Sequence, residues 1–240
     1  MSGHVRALLA EAAGTFMFFF IGAGAIVAAA AGTGGGGGIG SVALAHGLAL
    51  AVAVSSFGGI SGGHFNPAVT FGLAIAGKHP WPRVPTYWAA QLVAAVLAGV
   101  ALRFVFEFSP TALDRTHIGS PAVGGGIGVP VAIAVEALLT LFLLWAVFGT
   151  VVSPLAPHIA GFGIGLIVAA DIYVGGGLTG AAMNPARWFG PAVVAGFFDN
   201  WYVYWVGPLV GAAVAGLSYR FAFAPPEDRA PAEPVTPLVE

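Results

Sequence analysis

The sequence predicts an all-α membrane protein with six transmembrane helices and two re-entrant half-helices, arranged as an inverted repeat. Three observations predict it. Of 240 residues, 58% are hydrophobic and only 8% charged, with a mean hydropathy of +0.91; soluble domains carry roughly a quarter charged residues, so this chain belongs in a bilayer. The triplet Asn-Pro-Ala occurs twice, at Asn66-Pro67-Ala68 and Asn184-Pro185-Ala186, each time after a glycine-rich break in apolar sequence. The halves also echo each other. Tyr87-Trp88 returns 117 residues later as Tyr204-Trp205, Arg103 returns as Arg220 at the same offset, and the two Asn lie 118 apart.

A span needs about 20 mostly apolar residues. The first is expected from about Ala7 to Ala31, with Glu11 inside it and a glycine run from Gly34 to Gly38 after it. No charged-then-apolar leader stands apart from it, so the opening segment reads as a retained span. The second runs from about Val42 to Phe57. Asn66 then reads as a helix cap and Pro67 as a first helical residue, but the apolar run stops at Ala76, too short to cross. A third span covers about Tyr87 to Phe108, and Ser109 to Gly128 reads as a long loop. The fourth covers about Val129 to Val152 and ends at Ser153-Pro154; the fifth, about Ile159 to Val174. The second Asn-Pro-Ala opens another short helix, about Ala186 to Gly196, followed by a sixth span from about Trp201 to Phe223. The Pro- and Glu-rich tail, 224–240, is expected to be disordered.

These elements make one domain over residues 1–223, with repeats at about 5–108 and 129–223. Three spans per repeat is an odd number, so the repeats lie in opposite orientations. Lys and Arg favour the cytoplasmic side. With both termini inside, Arg6, Lys78, Arg83, Arg220 and Arg229 fall there, against Arg103 and Arg115 outside. A cell-membrane location is expected. The net charge of −2 argues against a nucleic-acid partner, and the absence of Cys excludes disulfides and thiol chemistry.

Non-helical backbone at membrane depth is tolerated only when buried in protein or lining a watery cavity. Two half-helices entering from opposite faces therefore imply a central pore with Asn66 and Asn184 near its middle. Each Asn carbonyl would be held by local backbone donors, with its NH2 aimed into the lumen. The positive ends of both half-helices disfavour protons and cations there, while neutral molecules pass.

The paired triplets, Arg187, the buried acids Glu11 and Glu136 and the inverted repeat resemble the aquaporin (major intrinsic protein) family over about residues 5–222. Ala45-His46-Gly47, Ile60-Ser-Gly-Gly-His64-Phe-Asn66-Pro-Ala and Gly180-Ala-Ala-Met-Asn184-Pro-Ala-Arg187 are similar to its tonoplast intrinsic protein subfamily, although prokaryotic members also fit. The resemblance implies an aquaporin-like fold, a homotetramer with one pore per subunit, and no cofactor. It places a selectivity filter at His46, Ile172, Ala181 and Arg187. It makes Glu11 and Glu136 structural acceptors for the re-entrant loops, His64 a residue of the inner pore mouth, and His117 a member of an extended filter. Water is then the expected solute, with ammonia or other small neutral molecules. Trp188 and Ala192 depart from the residues that glycerol facilitators carry, and Asp171 beside Ile172 is atypical.

A charge as deep as Arg187 is costly and reads as functional by default, although packing against loop carbonyls is compatible with that role. Other classes remain as alternatives. A coupled secondary transporter shares inverted repeats and broken helices, but unpaired acids and ion-ligand clusters are missing along the spans. A glycerol-type facilitator is the second. Enzyme chemistry lacks a nucleophile–base–acid set, a phosphate loop or a metal cluster in the sequence.

Overall fold

The computed structural model describes residues 1–34 and 38–226. Most of the glycine run and the tail beyond residue 226 lie outside the described residues. Ala224, expected to begin the tail, is buried, and its N–H bonds the carbonyl of Tyr219.

The first repeat contains α1 (Gly3–Ala30), α2 (Ile39–Ser61), the half-helix α3 (Pro67–Ile75) and α4 (Val84–Val105). The second contains α6 (Val129–Val147), α7 (Phe162–Gly175), the half-helix α8 (Pro185–Ala195) and α9 (Val203–Ser218). Between them, the segment expected as plain loop holds a short helix, α5 (Pro110–Thr116), and a tight turn, His117–Gly119. Ser109-Pro110 supplies its start, since proline suits the first helical turn. π-type turns, Phe148–Val152 and Tyr219–Phe223, prolong α6 and α9.

Among the described residues, five helical stretches are long and apolar enough to cross a bilayer: Gly3–Ala30, Ile39–Ser61, Trp81–Val105, Val129–Val152 and Val203–Phe223. The sixth, α7, has 14 residues, about 21 Å at 1.5 Å per residue. It starts three residues later than the sequence suggests, because Ala160 turns left-handed (φ 47°) after Pro154 and Pro157. Helical bonding continues beyond its end, with Thr179 N–H to Gly175 O and Gly180 N–H to Gly176 O.

The packing repeats the sequence symmetry. α1 lies against α2 and α4, as α6 lies against α7 and α9. Each half-helix crosses to the other repeat: α3 packs on α9, and α8 on α4. α2 and α7 meet across the pseudo-axis, where Gly47 and Gly165 each face the other's backbone carbonyl. Close backbone approach at small residues is how helices associate in lipid, where no hydrophobic force pulls them together. The outward faces carry exposed aliphatic and aromatic residues such as Leu44, Leu48, Val93, Leu97 and Phe104.

Candidate functional site

The re-entrant loops hang from two buried carboxyl groups. Glu11, on α1, accepts at one oxygen from Ser61 Oγ (2.7 Å) and His64 N–H (2.9 Å), and at the other from Phe65 N–H (2.7 Å) and Gln91 Nε2 (2.8 Å). Glu136, on α6, accepts from Thr179 Oγ1 (2.6 Å), Ala182 N–H (2.9 Å) and Met183 N–H (2.7 Å). Both glutamates are fully buried. The tyrosines of the repeated Tyr-Trp pairs complete each cradle: Tyr87 OH donates to Ser61 O (2.8 Å), and Tyr204 OH to Thr179 O (2.9 Å).

These bonds stabilise backbone that otherwise resists its shape. Gly62, Gly63 and Phe65 have positive φ, and so do Gly180, Ala181 and Met183 in the second loop. Non-glycine residues in that region are held only when their surroundings over-determine them. Here the carboxyl oxygens take the freed amide N–H groups, which would otherwise be orphaned at membrane depth.

The loops deliver Asn66 and Asn184 to the starts of α3 and α8. Asn66 Oδ1 accepts from Ala68 N–H (2.8 Å); Asn184 Oδ1 accepts from Ala186 N–H (3.0 Å) and Arg187 N–H (3.3 Å). The amide nitrogens cross between repeats: Asn66 Nδ2 donates to Met183 O (2.9 Å), and Asn184 Nδ2 to Phe65 O (3.0 Å). The sequence suggested that each NH2 is aimed into the lumen. An amide has two hydrogens, so one is spent on locking the halves together and one is left.

A cavity runs past this junction. It is lined by His46, Ile172, Ala181 and Arg187, by both Asn and by His64, with an aliphatic wall that includes Leu50, Leu143 and Val168. All four residues expected at the constriction therefore share one cavity. Arg187, 3% exposed, is fixed by two acceptors: its Nε–H donates to His46 Nε2 (3.1 Å) and its Nη1 to the carbonyl of Gly119 (2.8 Å). His46 Nδ1 lies 2.8 Å from Val42 O. Gly22 of α1 leaves the imidazole its space, since a Cβ there would sit 2.5 Å from the ring.

His64 bonds Thr70 Oγ1 through Nδ1 (3.0 Å). Its ring touches those of His79 and Tyr87, at centroid distances of 4.8 and 5.1 Å. His79 lies in the turn ahead of α4, and burial, with His64, Arg83 and His4 nearby, pushes its imidazole down to about 3. His117 is not among the lining residues. Its ring lies flat on Phe197, at 3.8 Å and 1°, so the expected extended filter has no counterpart in the cavity. Asp171, on α7, is buried with Oδ2 unpaired and lies outside the lining, so the expected lack of unpaired acids along the spans does not hold at this position. Trp188 is buried against Tyr204, stacked at 5.7 Å and 9°.

Sequence reasoning missed four contributors. Gln91 was legible as the one amide in the third span. Gly119 lay in a loop without periodicity and left no signal. Ser61 and Thr179 stand at matching offsets, and their hydroxyls also accept from Gly63 N–H (3.1 Å) and Ala181 N–H (3.2 Å).

Residues 1–219 match the family model described as Major intrinsic protein. The chain is 46% identical to Aquaporin TIP4-4 of Zea mays over 167 residues, which is 68% of this chain and 64% of that protein. It is 42% identical to Aquaporin TIP1-2 of Zea mays over 173 residues, 71% of this chain and 65% of the relative. The chain thus spans a little under two thirds of the length of these relatives. Among solved structures, the aquaglyceroporin from Plasmodium falciparum superposes with a TM-score of 0.85 at 27% identity, covering 95% of this chain and 100% of that one.

Proposed function

The chain belongs to the major intrinsic protein family, and from that premise we propose that it is a passive channel for water that also passes ammonia. The observation that carries the reading is the reciprocal lock at the cavity. Two half-helix N-termini face one another, each Asn amide is tied to the opposite loop, and one N–H per amide is free for a passing molecule. A neutral molecule that accepts such bonds passes, while the two positive helix ends oppose cations and protons.

His46, Ile172, Ala181 and Arg187 form the filter in this reading. Ile172 and Ala181 give it an apolar side, which suits a small neutral solute beside water. Glu11 and Glu136 hold the loops and do not relay protons, since the bonds described for them are spent on the loops and on Gln91. The chain is an integral membrane protein. Its basic loop residues favour both termini inside, and family resemblance supports a homotetramer with one pore per subunit. The relatives are tonoplast-type proteins, so the expected cell-membrane location draws no support from them.

Parallel stopped-flow measurements on purified protein in liposomes test this. Fast water and ammonia flux without dependence on an ion gradient is expected, with slow glycerol flux. Fast glycerol re-swelling overturns the solute assignment in favour of a glycerol facilitator. Saturable flux driven by a proton or sodium gradient overturns the channel itself.

A further inference from the structure

Residues 117–119 are three consecutive residues in the left-handed region: His117 at φ 48°, Ile118 at φ 58° and Gly119 at φ 76°. For a β-branched residue such as Ile118 this is a true outlier, and strain of this kind persists only where surrounding contacts impose it. The contacts are visible. Ile118 is 1% exposed and packs in the cluster of Ala23, Val27 and Leu102. Gly119 presses on α1 so closely that a Cβ would meet Ala23 O at 2.6 Å. Its N–H is capped by Thr116 Oγ1 at 3.3 Å.

The strained turn reaches both ends of the half-helix α8. Gly119 O accepts from Arg187 in its first turn. His117 stacks on Phe197, two residues past its last, which the left-handed Gly196 turns back. Among the described residues, the other acceptor of the Arg187 side chain is His46 Nε2. Moving Gly119 O would release half of the guanidinium and change the width and polarity of the cavity at that point.

We propose that His117 is a positioning residue for Arg187: its ring, clamped flat on Phe197, holds the turn that aims the Gly119 carbonyl at the guanidinium. It acts by shape and stacking from outside the pore, so its nitrogens are not required. This rests on the channel reading above, with Arg187 in the filter.

The discriminating pair is His117→Phe, which keeps an aromatic ring without imidazole nitrogens, and His117→Gln, which keeps polarity without a ring. Full-length protein in liposomes is compared for glycerol-to-water permeability ratio, with thermal unfolding to confirm folding. His117→Gln and Phe197→Ala are expected to raise the ratio about threefold or more, since a stacked pair carries selectivity-sized energy. His117→Phe is expected to stay within about twofold of the parent. The reverse pattern, with Phe disruptive and Gln neutral, assigns the role to the imidazole and overturns the proposal, as do unchanged ratios in all three. Should Phe197→Ala fail to fold, the two His117 variants decide alone. A parent protein without water flux overturns the channel reading instead, which separates the two failures.

Discussion

Arg187 donates its Nε–H to Nε2 of His46 at 3.1 Å, and this bond dictates what the histidine offers the pore. Val42 O can only accept, so Nδ1, 2.8 Å from it, carries the ring hydrogen. Nε2 then supplies the lone pair that Arg187 requires. Both nitrogens are occupied within the protein, and His46 meets a passing solute with carbon edges. Its polar chemistry is spent on orienting the arginine.

His46→Phe and His46→Gln are therefore expected to differ. Phe removes the acceptor and leaves a charged N–H unpaired, a loss of about 1–3 kcal/mol; Gln keeps a carbonyl oxygen for it. Ammonia flux should fall more than water flux in the Phe variant and stay nearer the parent in the Gln variant. Equal loss of both fluxes in the Phe variant, measured by stopped flow, would remove His46 from the filter.

The two glutamate cradles are symmetric except in one partner, and that difference predicts unequal damage. Gln91 and Thr70 in the first repeat are matched by Pro208 and Trp188 in the second. Among the described residues, each oxygen of Glu11 serves two donors, while one oxygen of Glu136 serves Thr179 and Ala182 and the other serves Met183 N–H alone. In Glu11→Gln either amide orientation turns an NH2 toward two donors; Glu136→Gln can confine the clash to one. At about 1–3 kcal/mol per orphaned buried donor, both variants should unfold at lower temperature than the parent. Glu11→Gln should be the worse of the two, and equal unfolding temperatures would contradict the cradle argument.

The sequence made these cradles readable because each of their parts is dear at membrane depth. A buried Glu in an apolar span, a Gly-rich break and an Asn-Pro start have few bland explanations, and their recurrence, 118 residues later for the Asn-Pro start and 125 for the Glu, fixes the inverted topology. α5 and the left-handed turn after it were not readable as a support for Arg187. Their effect depends on Gly119 touching Ala23, a contact between distant residues of ordinary type. His117 invited a chemical reading because it is titratable; in the fold it is used as a flat ring. Trp188 replaces a polar partner with an aromatic stack on Tyr204, which only packing reveals.

His79 supplies the pH-dependent term outside the spans. It is pushed down to about 3 by burial, with His64, Arg83 and His4 adding to the effect, and it also faces the Tyr87 ring at 4.5 Å. A histidine depressed by folding binds fewer protons folded than unfolded. Its share of stability is thus complete above the ordinary value of 6.5 and falls away as pH drops toward 3. His79→Gln should flatten the decline of unfolding temperature across that window. An unchanged decline would place the acid-sensitive group elsewhere.

Arg187→Val removes the cation from the cavity together with both of its anchors, while Arg187→Lys keeps the charge. A lysine ammonium is a point donor without the guanidinium fork, so it cannot hold His46 Nε2 and Gly119 O in the observed geometry. The valine variant is expected to pass glycerol and small cations faster than the parent. The lysine variant should still exclude cations, because exclusion there is electrostatic, yet it should pass more glycerol, because the constriction is no longer pinned. Proton flux should rise less than cation flux in the valine variant, since both half-helix N-termini and the crossed Asn amides stay in place. Cation flux in Arg187→Val equal to that of the parent would take Arg187 out of the filter, and matching glycerol flux in Arg187→Lys and the parent would leave charge alone as its contribution.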